Sequence, residues 1–420
     1  MTGDDKLRLI AQIQEVFTPT APIRSRDLFA GRRVQVDKVV RTILQRGEHA
    51  ILYGERGVGK TSLANTLFDL LVVMGKSNYQ IARVQCSDGM DFESLWRAIF
   101  RKLTTTLDDG EEMELDHAME ALGGSINSEG ILHLFQLMDT PSVVIIDELD
   151  RISDRTVQSA LADTIKTLSD NSADTTLILV GVADSVDELV AEHRSIVRAL
   201  KQVRMPRMSI GELLEIIDKG LAQLPGLLCD PTVRERIVEY SQGLPEYTHR
   251  LAQEVAIHVV NEGRTYFIMP DLEYAIKESV DNQLETNFAA YKKAVEAPRG
   301  INFKPVLLAC ALASKDEHGF FYAKNVTQPL RSITGNPDFA IPAFARHLKQ
   351  FSEPTRGPIL ERRGRQYRFI RPEMEPYVIL RGLSDGIITE TQLSRPSKKT
   401  STEPGQLSLL SSYAGPGIEI

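Results

Sequence analysis

The sequence is short of cysteine and of aromatic residues. Its 420 residues include three cysteines, Cys86, Cys229 and Cys310, one tryptophan and 6% aromatics in all. The cysteines lie far apart with no C-x-x-C pair, which excludes a disulfide scaffold or a thiolate zinc finger and suits a reducing compartment. Long apolar runs are missing too. None approaches the roughly 18–20 residues that cross a bilayer, so no membrane span and no membrane partner are expected. The opening Met-Thr-Gly-Asp-Asp-Lys lacks a basic and an apolar stretch, so no secretory leader is expected and a cytoplasmic location is. A surplus of positive charge is absent as well: 49 Lys and Arg stand against 57 Asp and Glu, a net of −8. That argues against a generally basic surface but leaves room for a local basic patch. What is present is ordinary globular composition, 42% hydrophobic and 25% charged, over a length that predicts two or three domains.

From His49 the chain alternates short β-branched runs with helical patterns, which predicts βαβ units and a parallel sheet. The strand candidates are Ala50–Tyr53, Ile81–Gln85, Ser142–Ile146, Thr176–Val180 and Gln202–Met205, with helices near 61–74, 91–104, 130–138 and 155–169. An acidic stretch, 108–120, holds seven Asp or Glu and no Lys or Arg; it reads as a solvated surface insertion. These elements make a base over residues 1–208. Amphipathic helices then dominate to about Asp281, giving a helical lid over 209–283.

A third region covers 284–382. Asn302 is placed to cap a helix Phe303–Ala313; further helices follow at Ala323–Ile333 and Ile341–Phe351. The last predicts a buried stripe of Ile341, Phe344, Ala345, Leu348 and Phe351, with Arg346, His347, Lys349 and Gln350 on other faces. Strands Pro358–Arg362 and Gln366–Ile370 are joined through Arg363-Gly364-Arg365. Three helices and a hairpin in that order describe a winged helix-turn-helix. A disordered tail is expected over 383–420, because residues 391–420 contain 15 Ser, Thr, Pro or Gly among 30.

The sharpest motif is Gly54-Glu55-Arg56-Gly57-Val58-Gly59-Lys60-Thr61, which satisfies G-x-x-x-x-G-K-[ST] between an apolar strand and a helical continuation from Ser62. Such a loop turns backbone N–H groups around phosphate oxygens, and glycines keep side chains out of the way. Lys60 would meet the β- and γ-phosphates, Thr61 would give a hydroxyl to Mg²⁺, and the helix N-terminus adds its dipole. Val143-Val-Ile-Ile-Asp147-Glu148 supplies the second half. A buried strand ending in a carboxylate places Asp147 to hold Mg²⁺, and Glu148 is positioned to polarise an attacking water. No Asn-Lys-x-Asp guanine reader occurs, so hydrolysis of ATP is the expected chemistry.

Over about residues 22–382 the chain resembles the AAA+ and STAND ATPases, especially the origin-recognition-complex-like branch. The resemblance rests on Gly54–Thr61, Asp147-Glu148, the strand ending Leu179-Val-Gly-Val-Ala-Asp184, and the closing winged helix. It implies a P-loop AAA+ α/β fold with an all-α lid and a winged helix-turn-helix domain. The implied function is an ATPase switch that couples nucleotide state to conformational change or assembly, often on DNA. It also implies further site residues. Phe29, in Leu28-Phe-Ala-Gly-Arg32, would wall the adenine or simply pack the helix onto the sheet. Asp184 stands where a polar residue orients the hydrolytic water, and as a carboxylate it implies slow hydrolysis or a role for Ser185. Arg198 takes the place of an arginine finger acting on a neighbouring subunit, with Arg194 and Arg204 as competitors. Ser241-Gln-Gly-Leu-Pro245 resembles the STAND Gly-Leu-Pro motif, in which the proline lies against adenine. Glu246 replaces the usual lid arginine, leaving His249 or Arg250 as alternatives.

Residues 342–381 carry nine Lys or Arg against four Asp or Glu, a net of +5. Arg346, Lys349, Arg362, Arg363, Arg365 and Arg368 concentrate on the third helix and hairpin. Double-stranded DNA is the expected partner, held mainly through its phosphates, together with a nucleotide-dependent homo-oligomer. The alternative is a signalling or defence regulator that acts through protein–protein assembly without DNA.

Overall fold

The computed structural model describes residues 2–393 except 24, 107–111, 122–125, 187–188, 190–195, 197, 282–284 and 297–302. Asn302, Arg194 and residues 394–420 therefore lie outside the described residues. Two compact units are present. One comprises Pro22–Glu55 and Gly59–Met205; the other comprises Met1–Ala21, Arg56–Val58 and the described residues from Pro206 onward.

The first unit is built on five parallel strands: β1 His49–Gly54, β2 Gln80–Gln85, β3 Ser142–Asp147, β4 Thr175–Val182 and β5 Leu200–Arg204. Their order is β2-β3-β4-β1-β5. All six residues of β3 are buried, as both-face coverage of a central parallel strand requires. Register sets Gln85 beside Asp147, and Tyr53 beside both Gly181 and Arg204. Helices Lys60–Val73, Phe92–Phe100, Ser128–Gln136 and Arg155–Asp170 lie between the strands in sequence. The core includes Trp96, whose ring centroid lies 5.6 Å from Phe100 and 6.0 Å from Phe135.

The expected helix 91–104 stops at Phe100, because β-branched Thr104–Thr106 pairs antiparallel with Glu112–Glu114 instead. Within the acidic insertion Glu112, Glu114 and Glu120 are exposed, but one carboxylate is not. Asp116 is 4% exposed and accepts from Arg97 at 3.2 Å and Arg101 at 2.9 Å, so it is an internal ion-pair partner. Two arginines one helical turn apart supply the counter-charge that a buried carboxylate requires.

The second unit departs from the expected division. A helix over Gly3–Val16, opened by a Thr2–Asp5 capping box, belongs to it and not to the base. Phe17 lies edge-on to His249 with centroids 6.1 Å apart, and Lys6 Nζ donates to the Asn261 carbonyl at 2.8 Å. Helices Ile210–Ala222, Pro231–Tyr240, Pro245–Asn261 and Met269–Asp281 form the expected helical stretch. It is not wholly α, since Leu228–Cys229 and Tyr266–Phe267 pair in parallel. Residues on either side of the expected boundary at 284 share a buried polar joint. Glu375, 2% exposed, accepts from Arg207 at 2.9 Å and Lys315 at 2.8 Å, and Tyr247 donates to the Glu373 carbonyl at 2.8 Å.

Toward the C-terminus, helices Phe303–Leu312, Ala323–Thr334 and Ile341–Phe351 precede a hairpin of β7 Leu360–Arg363 and β8 Gln366–Phe369. A strand not expected from the sequence, β6 Phe321–Tyr322, joins it in the order β6-β8-β7. The stripe on Ile341–Phe351 is corrected: Phe344, His347, Leu348 and Phe351 are buried, whereas Ile341 is 39% exposed and Ala345 faces solvent. On the buried side His347 meets the Phe303 ring edge-on, with centroids 4.7 Å apart. Residues from 383 to 393, expected as tail, belong to the fold: helix Met374–Ser384 and a turn Glu390–Leu393 continue it with Ile388 and Leu393 buried.

Candidate functional site

The loop after β1 is shaped by its glycines. Gly54 has φ +151°, and a Cβ there would stand 2.3 Å from the Met205 carbonyl oxygen, so only glycine lets β1 run this close to the chain after β5. Gly57 and Gly59 have φ of +82° and +91°, and a Cβ at either would project into open space. That bare concavity fits phosphate oxygens. Gly59 is the N-cap of helix Lys60–Val73, so the helix N-terminus faces the loop. Lys60 is 7% exposed, and its Nζ donates to the carbonyls of Gly54 at 3.0 Å and Glu55 at 2.7 Å. Arg56 is exposed and Val58 buried.

Asp147 ends β3 at 3% exposure. Thr61 Oγ1 donates to its Oδ2 at 3.2 Å, and the backbone N–H of Glu148 donates to its Oδ1 at 2.9 Å. A hydroxyl and a buried carboxylate this close are hard oxygen donors, which fits Mg²⁺. Sequence reasoning missed the third partner. Arg83, in the middle of β2, donates from Nη2 to Asp147 Oδ2 at 2.7 Å and from Nη1 to Asn65 Oδ1 on the phosphate-loop helix. The available signal was a charge within a sheet strand, which demands a compensating partner.

Glu148 adopts the left-handed conformation, φ 56° and ψ 39°. For a non-glycine residue this costs on the order of 1–2 kcal/mol, and such strain concentrates at functional sites. Its Oε2 accepts from Arg151 Nε at 2.7 Å. The next turn is tied to β4, because Val182 N–H donates to Asp150 Oδ1 at 2.8 Å. Burial, with help from Asp147, Asp150 and Glu148, pushes the neighbouring Cys86 thiol up to about 12.

Residues 43–190 match the family described as the AAA domain. Over these residues the chain is similar to an AAA domain. No curated protein sequence matches the chain. Among solved structures, the Walker-type ATPase of Pyrococcus abyssi is 15% identical, covers 87% of this chain and 99% of its own, and has a TM-score of 0.51. Two others score lower: Cdc6p of Pyrobaculum aerophilum (16% identity, 90% and 97% covered, TM-score 0.46) and Aeropyrum pernix ORC2 (15%, 90% and 97%, 0.49). The matched segment lies in a P-loop AAA+ α/β fold, a parallel sheet flanked by helices, and is followed by a mainly helical C-terminal region.

Within the unit that holds the matched segment, the remaining expected residues are less convergent. Ser62 Oγ accepts from Ile23 N–H at 3.2 Å, so its side chain anchors the segment leading to Phe29. In that segment Ala30 and Arg32 are buried, whereas Phe29 is only half-buried. Asp184 and Ser185 are half-buried just beyond β4, and Arg198 lies in an exposed turn before β5. Pro245 belongs to the other unit, where it opens helix Pro245–Asn261. Of the lid alternatives, His249 is 6% exposed and burial pulls it down to about 4. Arg250 is paired with Glu246 at 2.9 Å.

Proposed function

We propose that the protein is an ATP-binding and ATP-hydrolysing AAA+ switch whose C-terminal helix and hairpin contact duplex DNA. The observation that carries the ATPase reading is the cluster of buried Lys60 and Asp147 with half-buried Thr61, beside a bare glycine loop at the C-terminal ends of β1 and β3. In the proposed reaction, water oxygen bonds to the γ-phosphorus and its proton passes to Glu148. The bond to the β–γ bridging oxygen breaks, and its electron pair leaves with ADP. Gly54 to Ser62 bind the phosphates and Lys60 offsets their charge. Thr61 and Asp147 would hold Mg²⁺, which when bound screens the phosphate charge. Phe29 and Pro245 are proposed adenine contacts. Asp184 is proposed to orient the water, making turnover slow, and Arg198 to act on a neighbouring copy's nucleotide. Glu148→Gln should keep ATP binding while turnover falls at least ~100-fold. Unchanged turnover in that variant removes Glu148 from the mechanism.

The DNA part is supported by exposed Arg346, Lys349, Arg362, Arg363 and Arg365 on one helix and the hairpin that follows it, an order of elements fitting a winged helix-turn-helix. Arg368 is withdrawn from that set: it pairs with Glu361 at 2.9 Å and lies over the Phe320 ring at 4.5 Å. Five phosphate contacts predict a log–log salt slope of about −4.5 for duplex binding. Failure to retain duplex at low salt leaves the regulator reading, protein–protein assembly driven by nucleotide. Ser241-Gln-Gly-Leu-Pro245 favours that reading, with Gln242 and Gly243 in left-handed backbone at φ 50° and 82°. ATP-dependent oligomers without DNA would support it. The three free cysteines fit a reducing, cytoplasmic setting. Among the described residues no helix is long and apolar enough to cross a membrane.

A further inference from the structure

Glu148 is held from one side. Its Oε2 accepts from Arg151 Nε at 2.7 Å. Arg151 stands on the three-residue turn Leu149–Arg151, and that turn has little freedom. Leu149 is fully buried, Arg151 N–H donates to the Glu148 carbonyl at 3.0 Å, and Asp150 is bonded to the end of β4. The Glu148 backbone N–H is spent on Asp147 Oδ1 at 2.9 Å. Both ends of the ion pair thus start from a fixed backbone, although the two side chains are 35% and 49% exposed. As an isolated surface pair it would contribute little to stability. Its effect lies in which rotamer the glutamate keeps, because a long carboxylate side chain otherwise samples many.

We propose that Arg151 is a positioning residue for Glu148, fixing Oε2 so that Oε1 is aimed at the attacking water. This rests on the reading of Glu148 as the base. Arg151 does not touch the nucleotide; it acts through the glutamate. Fixing one rotamer-rich side chain sets the scale at roughly threefold to tenfold in rate.

The test uses the full chain and compares Arg151→Ala, Arg151→Lys, Glu148→Gln and the Glu148→Gln/Arg151→Ala double variant. Turnover, KM for ATP and the thermal midpoint are read for each. Arg151→Ala should lower kcat roughly threefold to tenfold with KM and midpoint unchanged. Arg151→Lys should recover at least half of the loss, and Arg151→Ala should cost nothing further on the Glu148→Gln background. Three results overturn the proposal: kcat equal to or above the unmodified chain, a rise in KM alone, or the same loss on the Glu148→Gln background. Full turnover by Glu148→Gln overturns the base reading itself, whereas a slow Glu148→Gln beside a normal Arg151→Ala sinks only the role of Arg151.

Discussion

The edge of the five-stranded sheet and the C-terminal hairpin both gather charge, in opposite ways. At the sheet edge, groups distant in sequence converge on one carboxylate: Thr61, Arg83 and the Glu148 amide all bond Asp147. At the hairpin, basic groups diverge. Arg346 and Arg365 face solvent, while Arg363 and Arg368 lie over the ring of Phe320 and Arg356 over that of Phe303. Convergence on a buried group makes a site for a small, compact ligand. Divergence over a surface suits an extended polyanion whose contacts add up separately. Charge counting alone treats Arg368 and Arg365 alike; their surroundings do not.

The comparison breaks most sharply at Lys60. Lys60→Ala should weaken ATP binding at least ~100-fold, measured by calorimetry, and leave nucleotide-free duplex binding unchanged. Retained ATP affinity would overturn the site. Next, Arg363→Glu with Arg365→Glu should lower duplex affinity about 30-fold near 0.1 M salt and flatten the salt slope by about 2, with ATP affinity intact. Equal binding by this variant would take the hairpin out of the interface.

Acid should act on both regions. His49 in the sheet unit and His249 in the other are buried, and desolvation lowers each from 6.5 to about 4. The folded state therefore binds fewer protons than the unfolded chain between those values. The contribution is complete above pH 6.5 and is lost as pH falls toward 4. Going from pH 7 to 5 should cost each unit about 2 kcal/mol, read by urea unfolding. Trp96 is the single tryptophan and lies in the sheet unit, so its fluorescence separates the two transitions. His249→Phe should flatten the loss outside the Trp96 signal only. The smallest effect is expected from Arg83→Ala. It leaves Asp147 with its Thr61 and backbone bonds, and Arg83 is itself 34% exposed, so about 1 kcal/mol should go. A loss above ~3 kcal/mol would show that Arg83 holds the sheet edge together.

Legibility followed sequence distance. The phosphate loop is a strand, a turn and a helix start within a dozen residues, and Asp147 ends an apolar run, so local pattern placed both. The five strands were readable for the same reason. The N-terminal helix was overlooked although Thr2 and Asp5 form its capping box, because its burial comes from Phe17 meeting His249, far along the chain. On Ile341–Phe351 periodicity found a helix but chose the wrong stripe, since His347 is apolar enough when neutral to pack on Phe303.

By itself, then, the sequence determined the features proposed to meet phosphate and metal: glycine backbone freedom, a helix N-terminus and a carboxylate at a strand end. Only the tertiary structure decided which charges those residues meet. Arg83 reaches Asp147 across 64 residues because β2 and β3 are neighbours in register, and Arg368 leaves the surface because Phe320 lies beneath it. Local periodicity specifies faces and ends. Pairing between distant side chains is set by packing, which no local pattern contains.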